Sequence, residues 1–171
     1  RKVKMKGEAY FEVARNEEKA FKVFTGGTTA KVMGTSFYLK SNDKDKVILI
    51  VNSGKVKFCK HFWLQKGIVF SAGDKGEYSA ATNEISREKN DIVNYLSWKT
   101  GILTFSDTPL SEVCTVLTNH FRVPVKSNLE DSAFSITGTF KNESLENVLS
   151  TISLTLDIEI SDTEIGTVMV K

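Results

Sequence analysis

The feature that most constrains the fold is an internal repeat in the second half of the chain. When the sequence is shifted by 35 residues, apolar positions fall on apolar positions through most of this half. The coinciding pairs are Phe105 and Phe140, Leu110 and Leu145, Val113 and Val148, Leu117 and Ile152, Phe121 and Leu156, Val123 and Ile158, and Val125 and Ile160. A repeat of this length is typical of a supersecondary unit that packs on its own copy.

Each copy has the pattern of a strand, a helix and a second strand. In the first copy a strand ends at Phe105, Thr108 is the expected N-cap, and Pro109 opens a helix. The apolar stripe of that helix contains Leu110, Val113, Cys114, Leu117 and Phe121. A second strand is predicted over residues 123–125.

The second copy follows the same plan. It has a predicted strand over residues 134–140 and another over 156–160. The apolar stripe of the helix between them contains Leu145, Val148, Leu149 and Ile152. A last strand is expected over 167–170. Two such units can form one small sheet with both helices on one face.

The first half of the chain has the two-residue periodicity of β-strands. Apolar and polar side chains alternate in residues 8–13, and residues 47–51 are apolar on both faces, as in a central strand. Gly54 follows that strand and can adopt the positive φ of a tight turn. Residues 1–89 are therefore predicted to form an all-β sandwich or roll.

Residues 90–98 lose this alternation and are predicted to form a linker helix. Ile92, Tyr95 and Leu96 lie at helical spacing, and Gly101 can end the helix. The remaining residues, 99–171, form the duplicated βαβ module. The predicted class is thus mainly β followed by α+β.

The net charge of +2 is a sum over two unequal parts. Residues 1–97 hold 18 basic and 11 acidic side chains, a net charge of +7, whereas residues 98–171 hold 5 and 10, a net charge of −5. The basic excess contains no arginine cluster, which argues against nucleic acid as a partner. The asymmetry is consistent with docking between the modules or with attraction of a basic partner to the second one.

The histidines and cysteines, which often carry catalysis or bind metals, number only two each. His61 and His120 lie in no motif with a nucleophile or a second metal ligand, so both are expected to be structural or surface residues. Cys114 lies on an apolar helix stripe, whereas Cys59 is expected to be partly exposed. The sequence therefore predicts neither an enzyme nor a cofactor.

Several segments resemble one known family. Gly7 to Val13 (GEAYFEV), Val32 to Phe37 (VMGTSF) and Gly54-Lys55-Val56 resemble the periplasmic domain of FecR-type anti-sigma factors. Trp98 to Gly101 (WKTG), Asp107 to Leu110 (DTPL) and Thr137 to Leu145 (TGTFKNESL) resemble the domain that follows it in members from Bacteroidota. The duplicated βαβ pattern is similar to the short N-terminal domain of secretins and TonB-dependent receptors.

This resemblance implies a signalling role at the periplasmic face of the inner membrane. Family members have a cytoplasmic segment that binds a sigma factor and one transmembrane helix, so we expect this sequence to begin inside the first domain. The implied partner is the N-terminal signalling domain of a TonB-dependent outer-membrane transporter. Its ligand occupancy, in iron or glycan uptake, would be relayed to an extracytoplasmic-function sigma factor.

A partner can be bound through the edge of a small sheet, because an unpaired strand accepts another strand by main-chain hydrogen bonds. Two segments are candidates for such an edge. The first contains Ser135, Ile136, Thr137, Gly138, Thr139 and Phe140. The second contains Thr167, Val168, Met169 and Val170. The alternative for the first segment is that Ile136, Gly138 and Phe140 are simply interior strand positions.

A different function is a periplasmic β module that binds a small molecule or a glycan. Aromatic side chains exposed in a groove would indicate such a site. The candidates are Tyr10, Tyr38, Trp63 and Tyr78. Each of them could instead be a packing residue.

Overall fold

The computed structural model describes residues 1–42, 46–61, 67–127, 134–162 and 168–170, and it describes residues 42, 162 and 168–170 by their backbone alone. The chain divides into two compact units, Arg1–Asp91 and Ile92–Lys171. The first is built from strands and the second from strands and helices, which confirms the predicted class. Trp63 and Thr167 lie outside the described residues.

The described part of the first unit forms two five-stranded sheets packed as a sandwich. Its strands are β1 (Lys2–Lys4), β2 (Gly7–Val13), β3 (Phe21–Thr25), β4 (Thr28–Val32), β5 (Thr35–Asn42), β6 (Lys46–Ser53), β7 (Lys55–Lys60), β8 (Ile68–Ser71), β9 (Asp74–Ser79) and β10 (Glu84–Lys89). One sheet has the order β1-β3-β4-β7-β8 and the other β10-β9-β6-β5-β2.

The core of the sandwich is formed by the inward-facing residues of both sheets. It includes Val23, Val32, Phe37, Leu39, Val47, Leu49, Val51, Val56, Phe58 and Phe70. As predicted, β6 is a central strand, and Ile50 on its other face is also buried, with 1% of its surface exposed. Gly54 has a φ of 78° in the turn that follows. This agrees with the turn predicted from the sequence.

The predicted linker helix is shorter than expected and begins later. Helix α1 covers Ser97–Thr100 and ends at Gly101, which is left-handed with a φ of 68°. The amide of Ser97 donates to the carbonyl of Asn94, which closes a turn before the helix. The side chain of Asn94 bonds to the backbone of Thr104, so this residue is held in an irregular segment rather than in a helix.

The second unit reproduces the repeat in its helices. Its remaining elements are β11 (Ile102–Pro109), α2 (Leu110–Phe121), β12 (Val125–Ser127), β13 (Ser135–Lys141), α3 (Leu145–Leu156), β14 (Ile160–Asp162) and β15 (Val168–Val170). Helix α3 begins and ends 35 residues after α2. The predicted apolar stripes are confirmed. Their buried members are Leu110, Val113, Cys114, Leu117, Val148, Leu149 and Ile152.

Backbone geometry follows the same repeat. Asp107 and Asn142 have φ values of 48° and 53°. Asp107 lies near the end of β11, and Asn142 lies between β13 and α3. Arg122 and Asp157, with φ values of 60° and 54°, end the two helices. Non-glycine residues rarely adopt this conformation, so its recurrence at a spacing of 35 residues is a strong sign of duplicated structure.

The single sheet expected from the repeat is wrong. Strand β11 pairs antiparallel with β13, and a separate sheet has the order β12-β15-β14. The first strands of the two copies therefore pair with each other, while their second strands flank β15 on either side. Because β15 lies outside the repeat, the repeat itself cannot indicate this arrangement.

Three local predictions also need correction. Thr108 does not cap α2: its Oγ accepts a bond from the amide of Ser106 at 3.1 Å, and Pro109 occupies the cap position. The strand predicted over 123–125 begins at Val125. The strand predicted over 156–160 begins at Ile160, because helix α3 continues through Leu156.

Candidate functional site

Strand β13 contains the first predicted partner-binding segment. Ile136 is buried in the core, and the ring of Phe140 lies edge-on to Phe105 with 6.2 Å between centroids. Ser135, Thr137 and Thr139 alternate with these positions and are exposed. One face of β13 is thus an interior face, as the alternative predicted, while its other face meets solvent.

The outer edge of β13 can be located from the hydrogen-bond ladder. The amide of Asn142 donates to the carbonyl of Gly101 at 2.8 Å. Because bonded and non-bonded pairs alternate in an antiparallel ladder, the pair of Thr139 and Thr104 is non-bonded, as is the pair of Lys141 and Ile102. The N–H and C=O groups of Thr139 and Lys141 therefore point away from β11.

A groove runs between this edge and helix α3. Its volume is about 630 Å³. The strand side consists of Thr139, Phe140 and Lys141, and the other side consists of Glu143, just before α3, and of Asn147, Ser150, Thr151 and Leu154 on the helix. These four helix positions follow the spacing of one helical face. Leu154 is 85% exposed, the highest fraction among the exposed large apolar side chains of the described residues.

The register of the β11–β13 pair shifts between Phe105 and Thr108, and residues near this shift hold the other end of β13. The amide of Asp107 donates to the Oγ of Thr137 at 2.8 Å, and the hydroxyl of Ser135 donates to the Asp107 carboxylate at 2.6 Å. These bonds occupy two of the exposed side chains of β13. The free part of the segment is therefore its C-terminal half, around Thr139.

The outer edge of β11 is covered by a side chain. The Asn94 Nδ2 donates to the carbonyl of Thr104 at 2.8 Å, and the amide of Thr104 donates to the Asn94 Oδ1 at 2.8 Å. Asn94 itself is partly buried. The two outer edges of the same two-stranded sheet thus differ, one being satisfied and the other open among the described residues.

The second predicted binding segment has a different position. Strand β15 pairs parallel with β12 on one side and antiparallel with β14 on the other. Its backbone groups over Val168–Val170 lie between two partners, so this strand offers no edge to a third one. Of the two candidate segments, the geometry favours β13.

The histidines and cysteines are distributed as structural residues. Cys114 is buried in the core of the second unit, as predicted. Cys59 is buried as well, with 1% of its surface exposed, so the expectation of partial exposure is wrong. Burial raises the pKa of the Cys59 thiol, which disfavours the reactive thiolate. Within the described ranges, no three of His, Cys, Asp or Glu are grouped to hold a metal ion.

The aromatic residues proposed for glycan binding are engaged in the first unit. Tyr38 is buried and donates to the Glu8 carboxylate at 2.7 Å, and burial raises its pKa to about 12. Tyr78 is also buried, and Tyr10 accepts a bond from Asn52 at 3.0 Å. These three side chains do not form an exposed platform.

A separate cleft of about 680 Å³ lies in the first unit. It is lined by polar side chains and two isoleucines. The lining consists of Lys60, Ile68, Glu77, Ser79, Thr82, Asn83, Glu84, Ile85 and Ser86. The ammonium of Lys60 donates to the carbonyl of Asn83 at 2.6 Å. Its lining among the described residues has no aromatic side chain of the kind that a glycan site would be expected to have.

The sequence matches two family models that together span most of the chain. One, described as FecR protein, matches residues 1–57 and the other, described as FecR, C-terminal, matches residues 102–170. The second range contains every strand and helix from β11 to β15. The chain belongs to the FecR family. FecR-type anti-sigma factors are regulatory proteins of the inner membrane with a periplasmic domain.

The fold of this FecR chain is similar to that of a solved protein. Two crystal structures of a proposed anti-sigma factor from Parabacteroides distasonis, at 1.65 and 2.50 Å resolution, superpose with TM-scores of 0.69 and 0.68. Both are 27% identical in sequence. The first match covers 99% of this chain and 79% of the other, and the second covers 98% and 78%. None of the curated proteins matches the sequence.

These findings assign an anti-sigma signalling role, which implies interaction with a sigma factor. None of the helices in the described ranges is long and apolar enough to cross a membrane.

Sequence reasoning located β13 but missed Asn94 as the residue that closes the neighbouring edge. The 35-residue spacing of Thr104 and Thr139 is a signal that could have indicated equivalent edges.

Proposed function

We propose that this FecR chain is the periplasmic signalling region of a transmembrane anti-sigma factor, and that its second unit binds the N-terminal signalling domain of a TonB-dependent outer-membrane transporter. The observation that carries this proposal is the open edge of β13 within the range matched by the C-terminal FecR model. Binding would report ligand occupancy of the transporter, and release of an extracytoplasmic-function sigma factor would follow.

The arrangement suits a binding module better than a catalytic one. Helix α3 and β13 form a groove with an open strand edge, which is the arrangement used in β-strand addition. The groove is lined mainly by hydroxyl and amide side chains, with one carboxylate from Glu143 and one ammonium from Lys141. Such a surface can recognise a partner while leaving its chemistry unchanged.

The direct test is binding to purified signalling domains. The probes are the N-terminal signalling domains of those TonB-dependent transporters, in the organism that encodes this chain, that carry one, and each is titrated against the chain by calorimetry. We expect one of them to bind with a dissociation constant of tens of micromolar or tighter, about −6 kcal/mol or better. If none binds in this range, the proposed partner is wrong.

The cleft in the first unit favours a second candidate function, the binding of a small polar molecule. Lys60 and Glu84 supply opposite charges within its lining. A ligand that binds only the folded state raises the melting temperature. A thermal-shift screen of sugars and siderophores would detect such a ligand, and the variant Lys60→Ala should then lose the shift.

A further inference from the structure

The two strands of the β11–β13 sheet present equivalent outer edges. Thr104 and Thr139 are 35 residues apart, so they occupy the same position in the two copies of the repeat. They also lie opposite each other in the ladder as a non-bonded pair. Their N–H and C=O groups consequently point to opposite sides of this small sheet.

One of these two edges already carries a peptide-like group. The carboxamide of Asn94 donates to the carbonyl of Thr104 and accepts from its amide, both at 2.8 Å. A carboxamide offers the same donor and acceptor as a peptide group, so Asn94 fills the place of one residue in an added strand. The molecule therefore contains an internal example of strand addition at this position.

The equivalent groups on the other edge lack such a partner among the described residues. Thr139 is exposed, and the groove beside it separates its backbone from the face of α3 that carries Asn147 and Thr151. An exposed strand edge with unpaired N–H and C=O groups is a ready template for another strand. The groove leaves room for the side chains that such a strand would direct toward α3.

We propose that the outer edge of β13 accepts an extended strand from the transporter's signalling domain, which pairs with the backbone of Thr139 and Lys141 in the way that Asn94 pairs with Thr104. This inference rests on the proposed function and specifies its binding mode. Alternate side chains of the added strand lie in the α3 groove, where an apolar residue covers Leu154. The unit Ile92–Lys171 has 5 basic and 10 acidic side chains, so the added strand comes from a basic surface.

The test compares two substitutions at one position. Thr139→Pro removes the outward N–H and leaves the bonded pairs on either side in place, since proline is tolerated at a strand edge. Thr139→Ala removes the side chain and keeps the N–H. The probe is the signalling domain that binds the unmodified chain, and circular dichroism with thermal melting verifies that both variants are folded.

We expect Thr139→Pro to weaken binding about tenfold or more, because a main-chain bond is lost and the ring obstructs the edge. Thr139→Ala should bind within about twofold of the unmodified chain. Equal binding by both variants would overturn strand addition and leave the proposed partner intact. Absence of binding by the unmodified chain would instead overturn the proposed function, and this inference with it.

A second variant covers the case in which Thr139→Pro does not fold. Leu154→Glu changes a side chain that is 85% exposed, so it should leave the fold unaffected. We expect this variant to weaken binding at least fivefold, since it places a charge against an apolar side chain of the added strand. Leu145→Met at a partly buried position of the same helix is the control and should bind normally. Unchanged affinity of Leu154→Glu would exclude the groove as the docking site.

Discussion

The two copies of the repeat in the second unit have helices and left-handed residues at equivalent positions, but their outer strand edges differ. In the first copy the backbone of Thr104 is bonded to Asn94. In the second copy the equivalent Thr139 faces an open groove beside α3. The shared features show what the fold requires, and the difference between the two edges marks a surface that the fold leaves available for a partner.

The copies also differ at the start of their helices. Ser144 caps α3 and accepts a bond from the amide of Asn147, whereas α2 begins after Pro109 without a side-chain cap. Proline has no amide hydrogen and a fixed φ, so it begins a helix by a different physical route. Duplication has therefore conserved the position of each helix and changed how each one begins.

The largest expected effect tests whether the two copies share one core. Leu117 and Ile152 are equivalent in the repeat and have 0% and 1% of their surface exposed. Leu117→Ala and Ile152→Ala should each lower the free energy of unfolding by about 2–5 kcal/mol, through lost burial and the cavity that remains. Urea unfolding followed by circular dichroism measures both values. Leu154→Ala, at an exposed position, should change stability by less than about 0.5 kcal/mol.

A second transition that appears in only one of these variants would contradict the shared core. It would mean that each copy unfolds by itself. A single cooperative transition of the second unit, shifted in both variants, is the expected result because residues of both copies belong to one buried cluster.

Opening the closed edge should have a smaller effect. Asn94→Ala leaves the amide and the carbonyl of Thr104 without their partner, so the free energy of unfolding should fall by about 1–3 kcal/mol. Asn94→Asp keeps an acceptor for the amide of Thr104 and loses the donor to its carbonyl. The stability of this variant should therefore lie between that of the unmodified chain and that of Asn94→Ala. Asn119→Ala, on the exposed face of α2, is the matched control. If Asn94→Ala is as stable as the control, the side chain does not hold the edge.

Removal of the helix cap should lower the free energy of unfolding by a smaller amount than opening the closed edge. Ser144→Ala deletes the acceptor for the Asn147 amide and should destabilise the unit by about 1 kcal/mol. Ser150→Ala, an exposed interior position of the same helix, should be neutral or slightly stabilising. Chemical denaturation of the two variants gives the comparison. A larger loss for Ser150→Ala than for Ser144→Ala would contradict the assignment of the cap.

The two units should also differ in their response to acid. Burial lowers the pKa of His120 from its ordinary value of 6.5, and its Nδ1 is buried with no partner among the described residues. A charged imidazole would suit the C-terminal end of α2, where His120 lies, but burial favours the neutral ring. The contribution of His120 to the stability of the second unit is therefore fully present above its unfolded pKa and is lost as pH falls from about 6.5 toward its folded pKa.

In the first unit the hydrogen bond from Lys89, followed by that from the amide of Ser71, lowers the pKa of the buried Asp74 below its ordinary 3.8. The contribution of the Asp74 carboxylate to the stability of the first unit is lost only as pH falls below about 4. Hydrogen exchange of both units between pH 7.5 and 4.5 should show the second unit losing protection first. His120→Gln should remove that early loss, and an unchanged profile in this variant would contradict the role of His120.

Periodicity predicted the helices and strands of this protein better than it predicted which strands pair with each other. Apolar residues at a spacing of 35 located both helices and the buried positions, because helix burial leaves a clear pattern in the sequence. The same pattern could not indicate that β15 would lie between β12 and β14, since strand pairing depends on residues distant in sequence. Helix α3 ends at Asp157 in a left-handed conformation without glycine, so the sequence contained no signal for that end.

The candidate site was predictable in part for the same reason. The segment around Gly138 was identified as a strand that could lie at an edge, and the alternation of Ile136 and Phe140 predicted its interior face. The closure of the opposite edge by Asn94 depends on a side chain ten residues before Thr104, in an irregular segment that has no periodic pattern.

Amide hydrogen exchange at Thr104 and Thr139, with and without the bound signalling domain, tests the central claim most directly. In the free chain, Thr104 should exchange slowly because Asn94 accepts its hydrogen, and Thr139 should exchange rapidly. Addition of the signalling domain should slow exchange at Thr139 and Lys141 and leave Thr104 unchanged. Rapid exchange at Thr139 in the saturated complex would contradict docking at the open edge of β13.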